Sequence, residues 1–387
     1  MSQVGVYLDR IRALAPTIMA HADQSERDAQ LAPPVVEAFH EAGLFRMLLP
    51  AAMGGGDLTL AEAFQTFEEV ARSDGSAAWN LSICAGGPLF GHFLARDAYE
   101  HVFADPRAVS AGSLNPLGVQ AVRDGDDWRF TGRATYVSGS GQATWLMTAG
   151  FLLVDGAPRL VDGIPEMRAT LLPMREARVL STWDMAGMRA TGSNDCVFEN
   201  VHVPDAFTFG WPDPRSTWKD GAFGGIPLPV QLGGGFAAVA LGVARHALDE
   251  LVSLAVDKRP AGARTTLRER ALAQTQLGQA EGLLGAARAY FYSATDEVWR
   301  RGTAREPFDD RARANARLAS VTAVKLAAQA VDLVHDAAGM NAMQAGGVIQ
   351  RCWRDVHTIT QHVVMNTGRF EVVGRILFGL PAGTPII

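Results

Sequence analysis

The sequence predicts an α+β fold, mainly α, with an N-terminal helical domain, a small central β-barrel or sandwich domain and a C-terminal four-helix bundle. Three observations predict it. Apolar residues recur at helical spacing up to about residue 104; short alternating runs broken by turn residues follow from about 107 to 209; and helical spacing resumes after a Gly/Pro-rich stretch at 220–235. A helix brings every third or fourth side chain to one face and a strand every second, so each change of period marks a change of element type. These limits divide the chain into 1–106, 107–222 and 223–387.

In the first region Val35, Val36, Ala38 and Phe39, then Leu44 and Phe45, form an apolar stripe, with Gly43 and Pro50 where helix ends are expected. In the second, AVRDGDDWRFTGRATYV sets Asp124-Gly125 between two apolar runs. That is a hairpin signal, because glycine adopts the positive φ of a tight turn without strain. DCVFENVHVP alternates in the same way and stops at Pro204. The third region holds four long amphipathic segments, beginning at Phe236, Thr266, Arg311 and Val348, the last of them VIQRCWRDVHTITQHVVMNTGRFEVVGRILFG. Four such stripes bury one another in a bundle. No solenoid-type repeat interrupts the pattern.

Composition narrows the function classes. At 387 residues, 48% hydrophobic and 20% charged, the chain is an ordinary globular protein, long enough for two or three cores. The formal charge of -6 is dispersed, with no run of five like charges, so neither a nucleic-acid surface nor a polybasic membrane patch is expected. Cys84, Cys196 and Cys352 are far apart and form no CxxC pair, which reads as three packed thiols rather than a disulfide framework or a zinc site. MSQVGVYLDRIRAL lacks the basic-then-apolar pattern of a signal peptide, and no window approaches 18 uninterrupted apolar residues; a cytoplasmic location is expected.

Five motifs carry a resemblance: LLPAAMGGGDLTL (48–60), SDGSAAWN (73–80), GRATYVSGSGQATW (132–145), WDMAGMRATGSNDCVFENVHVP (183–204) and RCWRDVHTITQH (351–362). In this order and spacing the sequence resembles the acyl-CoA dehydrogenase superfamily over essentially its whole length. The resemblance implies a flavin held between the β domain and the bundle, and a homotetramer whose neighbouring subunits complete the cofactor sites.

Fold alone does not fix chemistry. A true acyl-CoA dehydrogenase removes the α-proton of a thioester with a carboxylate. In most members this is a Glu eight residues after the Asp of the Arg-Asp pair, a position held here by Val363. The minority position, on the first bundle helix, is also empty of acid: residues 221–246 contain no Asp or Glu. One residue before Val363 stands His362, and Arg354-Asp355-x-His357 with Gln361-His362 is similar to the group D two-component flavin monooxygenases, the oxygenase partners in systems such as p-hydroxyphenylacetate hydroxylase. There the second His binds and activates the substrate, and an imidazole that titrates near neutrality suits that task.

Ser138, in TYVSGSG, occupies the position whose hydroxyl meets flavin N5 in the family. In the monooxygenases it supports the C4a-hydroperoxide; a hydroxyl can donate or accept as the flavin changes state. His362 and Ser138 are therefore the expected catalytic residues, with Ser138 also contacting the cofactor. The resemblance further implies Trp79, Ser113 and His92 on the substrate side, and Ser113, Asn115, Arg259 and Arg264 on the flavin side, an arginine fork matching phosphate geometry. The arginine spacing departs from the dehydrogenase pattern and HDAAGMNAM replaces its Gly-Gly turn, which leaves the acting arginine and the choice of FAD or FMN open.

A Gly233-x-Gly235 nicotinamide loop is rejected, because a dinucleotide site needs flanking strands and a long helix follows here. Without such a domain, reduced flavin must come from a separate NAD(P)H:flavin reductase. No Gly-x-Ser-x-Gly elbow, HExxH or metal-ligand cluster is present in the sequence, and no metal is expected. The expected function is a reduced-flavin-dependent monooxygenase that inserts one atom of O2 into a small aromatic or heteroaromatic substrate. Two alternatives stay open: an acyl-CoA dehydrogenase or flavin oxidase with a displaced base, and a noncatalytic flavin-binding scaffold.

Overall fold

The computed structural model describes residues 3–384 except 162, 213, 215 and 217–220. Six helices come first: α1 (Gln3–Asp28), α2 (Pro33–Glu41), α3 (Leu60–Ala71), α4 (Gly75–Cys84), α5 (Gly87–Gly91) and α6 (Arg96–Phe103). Their ends are chemically specified. Thr59 and Glu62 close a reciprocal capping box at α3, and the Asp74 carboxylate accepts from the Ala77 amide at 2.8 Å to start α4.

The strands are β1 (Ser110–Ser113), β2 (Val119–Asp124), β3 (Asp127–Val137), β4 (Trp145–Val154), β5 (Ala157–Pro158), β6 (Leu160–Val161), β7 (Ile164–Pro165), β8 (Met167–Pro173), β9 (Arg178–Leu180), β10 (Asn194–Val203) and β11 (Thr208–Trp211). Except for the separate β6–β7 ribbon they join in one nine-stranded mixed sheet, whose main path runs β11-β8-β4-β2-β3-β10-β9. Asp124 pairs with Asp127 across the expected hairpin turn, where Gly125 takes φ +62°. At the far end of β3, Ser138 forms a single bridge to Gly112 of β1, so the loop after β3 lies against the end of β1.

The bundle comprises α8 (Gly234–Asp257), α9 (Ala271–Ala304), α10 (Asp310–Ala338), α11 (Val348–Thr360) and α12 (Gly368–Leu377), preceded by the short α7 (Leu228–Gln231). α8 is apolar on every side over residues 234–244, a stretch that must be buried, and the helix packs against α3, α4, α9, α10 and α11; Arg245 and Asp249 open a polar face further along. The segment Asp310–Met343 is long and apolar enough to cross a membrane by composition, and just over half of its most apolar window is buried within the molecule. Cys84, Cys196 and Cys352 are all buried free thiols.

The fourth amphipathic segment departs from the expected continuous helix. It splits into α11 and α12 around residues 361–367. The last turn of α11 tightens, the amides of Gln361 and His362 bonding three residues back to Thr358 and Ile359, and Thr360 turns its hydroxyl onto the His357 carbonyl at 2.6 Å. The β-branched pairs Ile359-Thr360 and Val363-Val364 favour that ending over a further turn. His362 consequently stands just past a helix end rather than on a helix side.

Candidate active site

Trp79 joins the two expected catalytic residues. It sits in the middle of α4, 7% exposed, and its indole Nε1 donates to Ser138 Oγ at 3.0 Å. Its ring stacks on Phe236 at 4.2 Å and 14°, and the half-buried His362 meets both, 4.5 Å from Phe236 and 5.5 Å from Trp79 between ring centroids. Residues 79, 138, 236 and 362, from α4, the loop after β3, the first turn of α8 and the break after α11, thus form one cluster. Phe236 was not singled out by the sequence; its only signal is its place in the first turn after the glycines at 233–235.

The Ser138 turn is fastened to the 183–193 loop. Gly139 donates its amide to Thr191 O at 2.9 Å and Ser140 its hydroxyl to Gly192 O at 2.8 Å. Gly139 has φ +77°, and a Cβ there would lie 2.6 Å from Cys84 Sγ, so only glycine fits. Ser138 Oγ also lies 2.7 Å from Ser193 Oγ, which is 2.6 Å from Thr191 Oγ1; Thr191 donates on to Met188 O at 2.8 Å. Ser193 and Thr191 were likewise missed. Nothing in TGSND marks them until the fold sets them beside a residue 55 positions earlier.

The Arg-Asp pair of α11 holds that loop. Asp355, 3% exposed, accepts from the Met188 amide at 2.5 Å, and Arg354 donates to Ala186 O and to Glu26. A Cβ on Gly187 would lie 2.3 Å from the Arg354 carbonyl oxygen, so the loop passes as closely as a backbone can. Burial, then the neighbouring Asp74, raises the Asp355 carboxyl to about 7. An Asp355→Ala substitution leaves the buried Met188 amide without an acceptor and is expected to cost about 1–3 kcal/mol. Chemical denaturation measures it; Asp355→Asn, which keeps an acceptor oxygen, is expected to lose less.

Burial, reinforced by the guanidinium groups of Arg317 and Arg369, pulls the His362 imidazole down from 6.5 to about 4. No carboxylate contributes to that shift. Val363, at the dehydrogenase base position, is 59% exposed and apolar. Arg317 is 3% exposed and donates to Pro229 O at 2.9 Å and Leu232 O at 3.2 Å, satisfying carbonyls at the end of α7. His362 Nδ1 accepts a long contact from the Val364 amide at 3.4 Å, which puts the neutral ring's proton on Nε2. In that tautomer the ring offers a donor. Accepting a substrate proton at Nε2 requires the proton to shift to Nδ1 and the Val364 contact to break.

The other expected residues divide. Ser113 and Asn115 lie beside the cluster: Ser113 follows the bridge partner of Ser138, its Oγ accepts from the Asn115 amide at 3.4 Å, and Asn115 donates to Thr135 Oγ1 at 3.2 Å. His92 lies elsewhere, its ring 5.9 Å from Tyr99 and 5.7 Å from Phe223, lowered by burial to about 4. Among the described residues no hydrogen bond or ring pair joins it to Trp79, Ser138 or His362. Arg259 and Arg264 are exposed beyond the C-terminal end of α8, roughly 30 Å from Phe236 at 1.5 Å per helical residue. Within one chain they do not meet Ser138. The short helix α7, not a strand, leads into Gly233 at the N-cap of α8, which is not the strand-loop-helix arrangement a nicotinamide loop needs.

The cluster suits a flat tricyclic ring with apolar faces and a polar edge. Stacked indole and phenyl rings supply an apolar wall, Ser138 keeps one hydrogen-bonding site beyond its two bonds, and Tyr136, φ +61° and 59% exposed, leaves its ring on the surface edge-on to Trp183 at 6.4 Å. A flavin fits those requirements.

Comparison with known proteins identifies the family. Residues 7–97 match the family described as acyl-CoA dehydrogenase, N-terminal domain, and residues 234–367 its C-terminal domain. The chain is 30% identical over 367 residues to an indole-3-acetate monooxygenase of Pseudomonas putida, covering 93% of this chain and 90% of that one. It is 27% identical to the flavin-dependent monooxygenase oxygenase subunit HsaA of Rhodococcus jostii (strain RHA1), covering 97% and 98%. In fold it superposes on XiaF from Streptomyces sp., solved in complex with FADH2 and glycerol, with a TM-score of 0.92 over 99% of this chain and 98% of that one, at 22% identity. The chain belongs to the acyl-CoA dehydrogenase superfamily and, within it, to the flavin-dependent monooxygenases.

Proposed function

We propose that this chain is the oxygenase component of a two-component system, taking reduced flavin from a separate NAD(P)H:flavin reductase and inserting one oxygen atom of O2 into a small aromatic or heteroaromatic compound. The observation that carries this reading is the convergence of Ser138, Trp79, Phe236 and His362 on one site, where among the described residues no carboxylate belongs to the groups that shift the His362 imidazole. Bound reduced flavin supplies the activation of O2. Ser138 meets the polar edge of the ring, and Trp79 fixes the serine oxygen by its indole N–H. Phe236 and Trp79 exclude water, which otherwise diverts oxygen to hydrogen peroxide. His362 directs Nε2–H at a polar group of the substrate and orients it, and takes up a proton only after its contact with Val364 opens. An indole bearing a short acid side chain, the substrate named for the Pseudomonas putida relative, is a first candidate.

The same reading makes the enzyme cytoplasmic and a homotetramer. Arg259 and Arg264 stand too far along α8 to serve the flavin that meets Ser138 of their own chain, whereas a neighbouring copy can present them to its phosphate. His92, beside Tyr99 and Phe223 and further from the ring stack, serves the substrate side. The test supplies the purified protein with a generic flavin reductase, NADH and 18O2, and screens aromatic compounds by mass spectrometry. Incorporation of one labelled atom is expected; its absence across the panel, together with reduction of bound flavin by an acyl-CoA, overturns the reading in favour of a dehydrogenase.

A further inference from the structure

Three hydroxyls stand in series between a group that can only donate and one that can only accept. Trp79 Nε1–H donates to Ser138; Ser138 and Ser193 are 2.7 Å apart, Ser193 and Thr191 2.6 Å apart; and Thr191 donates to the Met188 carbonyl at 2.8 Å. Ser138, Ser193 and Thr191 are 6%, 5% and 2% exposed, so water does not stand in for any member. We propose that Ser193 and Thr191 are positioning residues that set the direction of the Ser138 hydroxyl and thereby make the site favour reduced over oxidised flavin.

The direction of the hydroxyl chain follows from its protons. Three hydroxyls bring three protons, and three contacts each need one: Ser138 to Ser193, Ser193 to Thr191 and Thr191 to Met188 O. Only one arrangement satisfies all three, each hydroxyl passing its proton toward Met188. Ser138 has then accepted from Trp79, given up its own proton and kept one lone pair. It can accept a further hydrogen bond but not donate one. N5 of reduced flavin carries a hydrogen and donates; N5 of oxidised flavin only accepts. The reduced form therefore meets a complementary oxygen.

Oxidised flavin is accommodated only if one hydrogen bond is given up: Ser138 turns its proton from Ser193 to the flavin, or the chain reverses. On reversal Thr191 must turn to Ser193, and Ser193 to Ser138, which releases the Ser138 proton at the loss of the bond from Thr191 to Met188. The Met188 oxygen still accepts from Trp183 Nε1 at 3.0 Å and from the Thr191 amide at 3.2 Å, which limits the loss to about one hydrogen bond. One net hydrogen bond corresponds to about fivefold in affinity.

The inference rests on the reading that Ser138 meets flavin N5, and its test uses binding rather than turnover. Oxidised flavin is titrated by fluorescence and reduced flavin anaerobically, on the wild-type protein and three variants. Ser193→Ala frees the Ser138 proton, so the ratio of reduced to oxidised affinity is expected to fall about fivefold. Thr191→Val removes the link to Met188 and is expected to lower it in the same direction, while Thr191→Ser preserves the chain and the wild-type ratio. Structural loosening alone weakens both flavins in proportion; an unchanged ratio in Ser193→Ala and Thr191→Val overturns the proposal. A wild-type protein that binds neither flavin overturns the flavin reading itself, and this proposal with it.

Discussion

His362→Ala is expected to separate oxygen consumption from product formation. Reductase-driven oxygen uptake is expected to continue, because the proposed mechanism assigns the flavin edge to Ser138 and not to His362, while product per oxygen consumed falls about a hundredfold, the scale of a positioned proton-handling group. The oxygen no longer transferred appears as hydrogen peroxide, and an oxygen electrode with a peroxide assay measures both. A hydroxylation rate equal to wild type removes His362 from the mechanism. His362→Asn separates the two ways the ring can act. An amide N–H replaces the Nε2–H donor, so Asn retains more product than Ala if orientation is the larger role, and no more than Ala if proton abstraction is.

The same residue has a pH signature. Its folded value of about 4 lies below the ordinary 6.5 because burial, then Arg317 and Arg369, penalise the cation. As pH falls through 6.5 the unfolded chain takes up a proton that the folded chain does not, so this part of the stability is complete above 6.5 and is lost between 6.5 and 4. The buried His92 and the half-buried His246, both also lowered to about 4, act in the same direction. His362→Asn is expected to reduce the fall in thermal midpoint between pH 7 and pH 4. In catalysis the ring stays neutral above about pH 5, so its contribution to product yield is flat from there to pH 8.

Ser138→Ala is expected to have the next largest effect. Without the oxygen, Trp79 Nε1–H loses its acceptor and Ser193 one of its two hydroxyl neighbours, inside a site closed to water. Leaving the indole N–H unpaired costs about 1–3 kcal/mol of stability. Product yield is expected to fall by about tenfold to a hundredfold, with hydrogen peroxide released faster after mixing reduced protein with oxygen, because an oriented partner at the flavin edge is lost. Stopped-flow mixing with a peroxide trap reads this directly. Peroxide release unchanged from wild type assigns Ser138 to holding the loop alone. Trp79→Phe then tests the bridge: the stack on Phe236 survives while the hydrogen bond is removed, so an intermediate loss is expected.

How far these residues were legible before folding depends on the kind of signal each leaves. The switch of period near residue 107, the Asp124-Gly125 turn and the apolar first bundle helix are local, and each fell where the chain places it. Ser138 and His362 were reached through motif resemblance; their shared contact with Trp79, residues 59 and 283 positions away, leaves no trace in periodicity. The continuous-looking fourth segment is instructive. Its apolar stripe continues from α11 into α12 because both helices face the same bundle, so the pattern reports burial correctly and is silent on the break that places His362.

The sequence by itself determined the three-region architecture, the absence of a carboxylate at Val363 and in 221–246, and the presence of His362 and Ser138 in recognisable motifs. Only the tertiary structure decided that Phe236 and Trp79 form the wall between them, that Asp355 and Arg354 pin the loop carrying Thr191 and Ser193, and that Arg259 and Arg264 lie roughly 30 Å away at the other end of α8. The reason is physical. Periodicity records which face of one element is buried, whereas a site is made where the ends of several elements meet, and the long-range hydrogen bonds that join them span separations of 55 to 168 residues that no local pattern encodes.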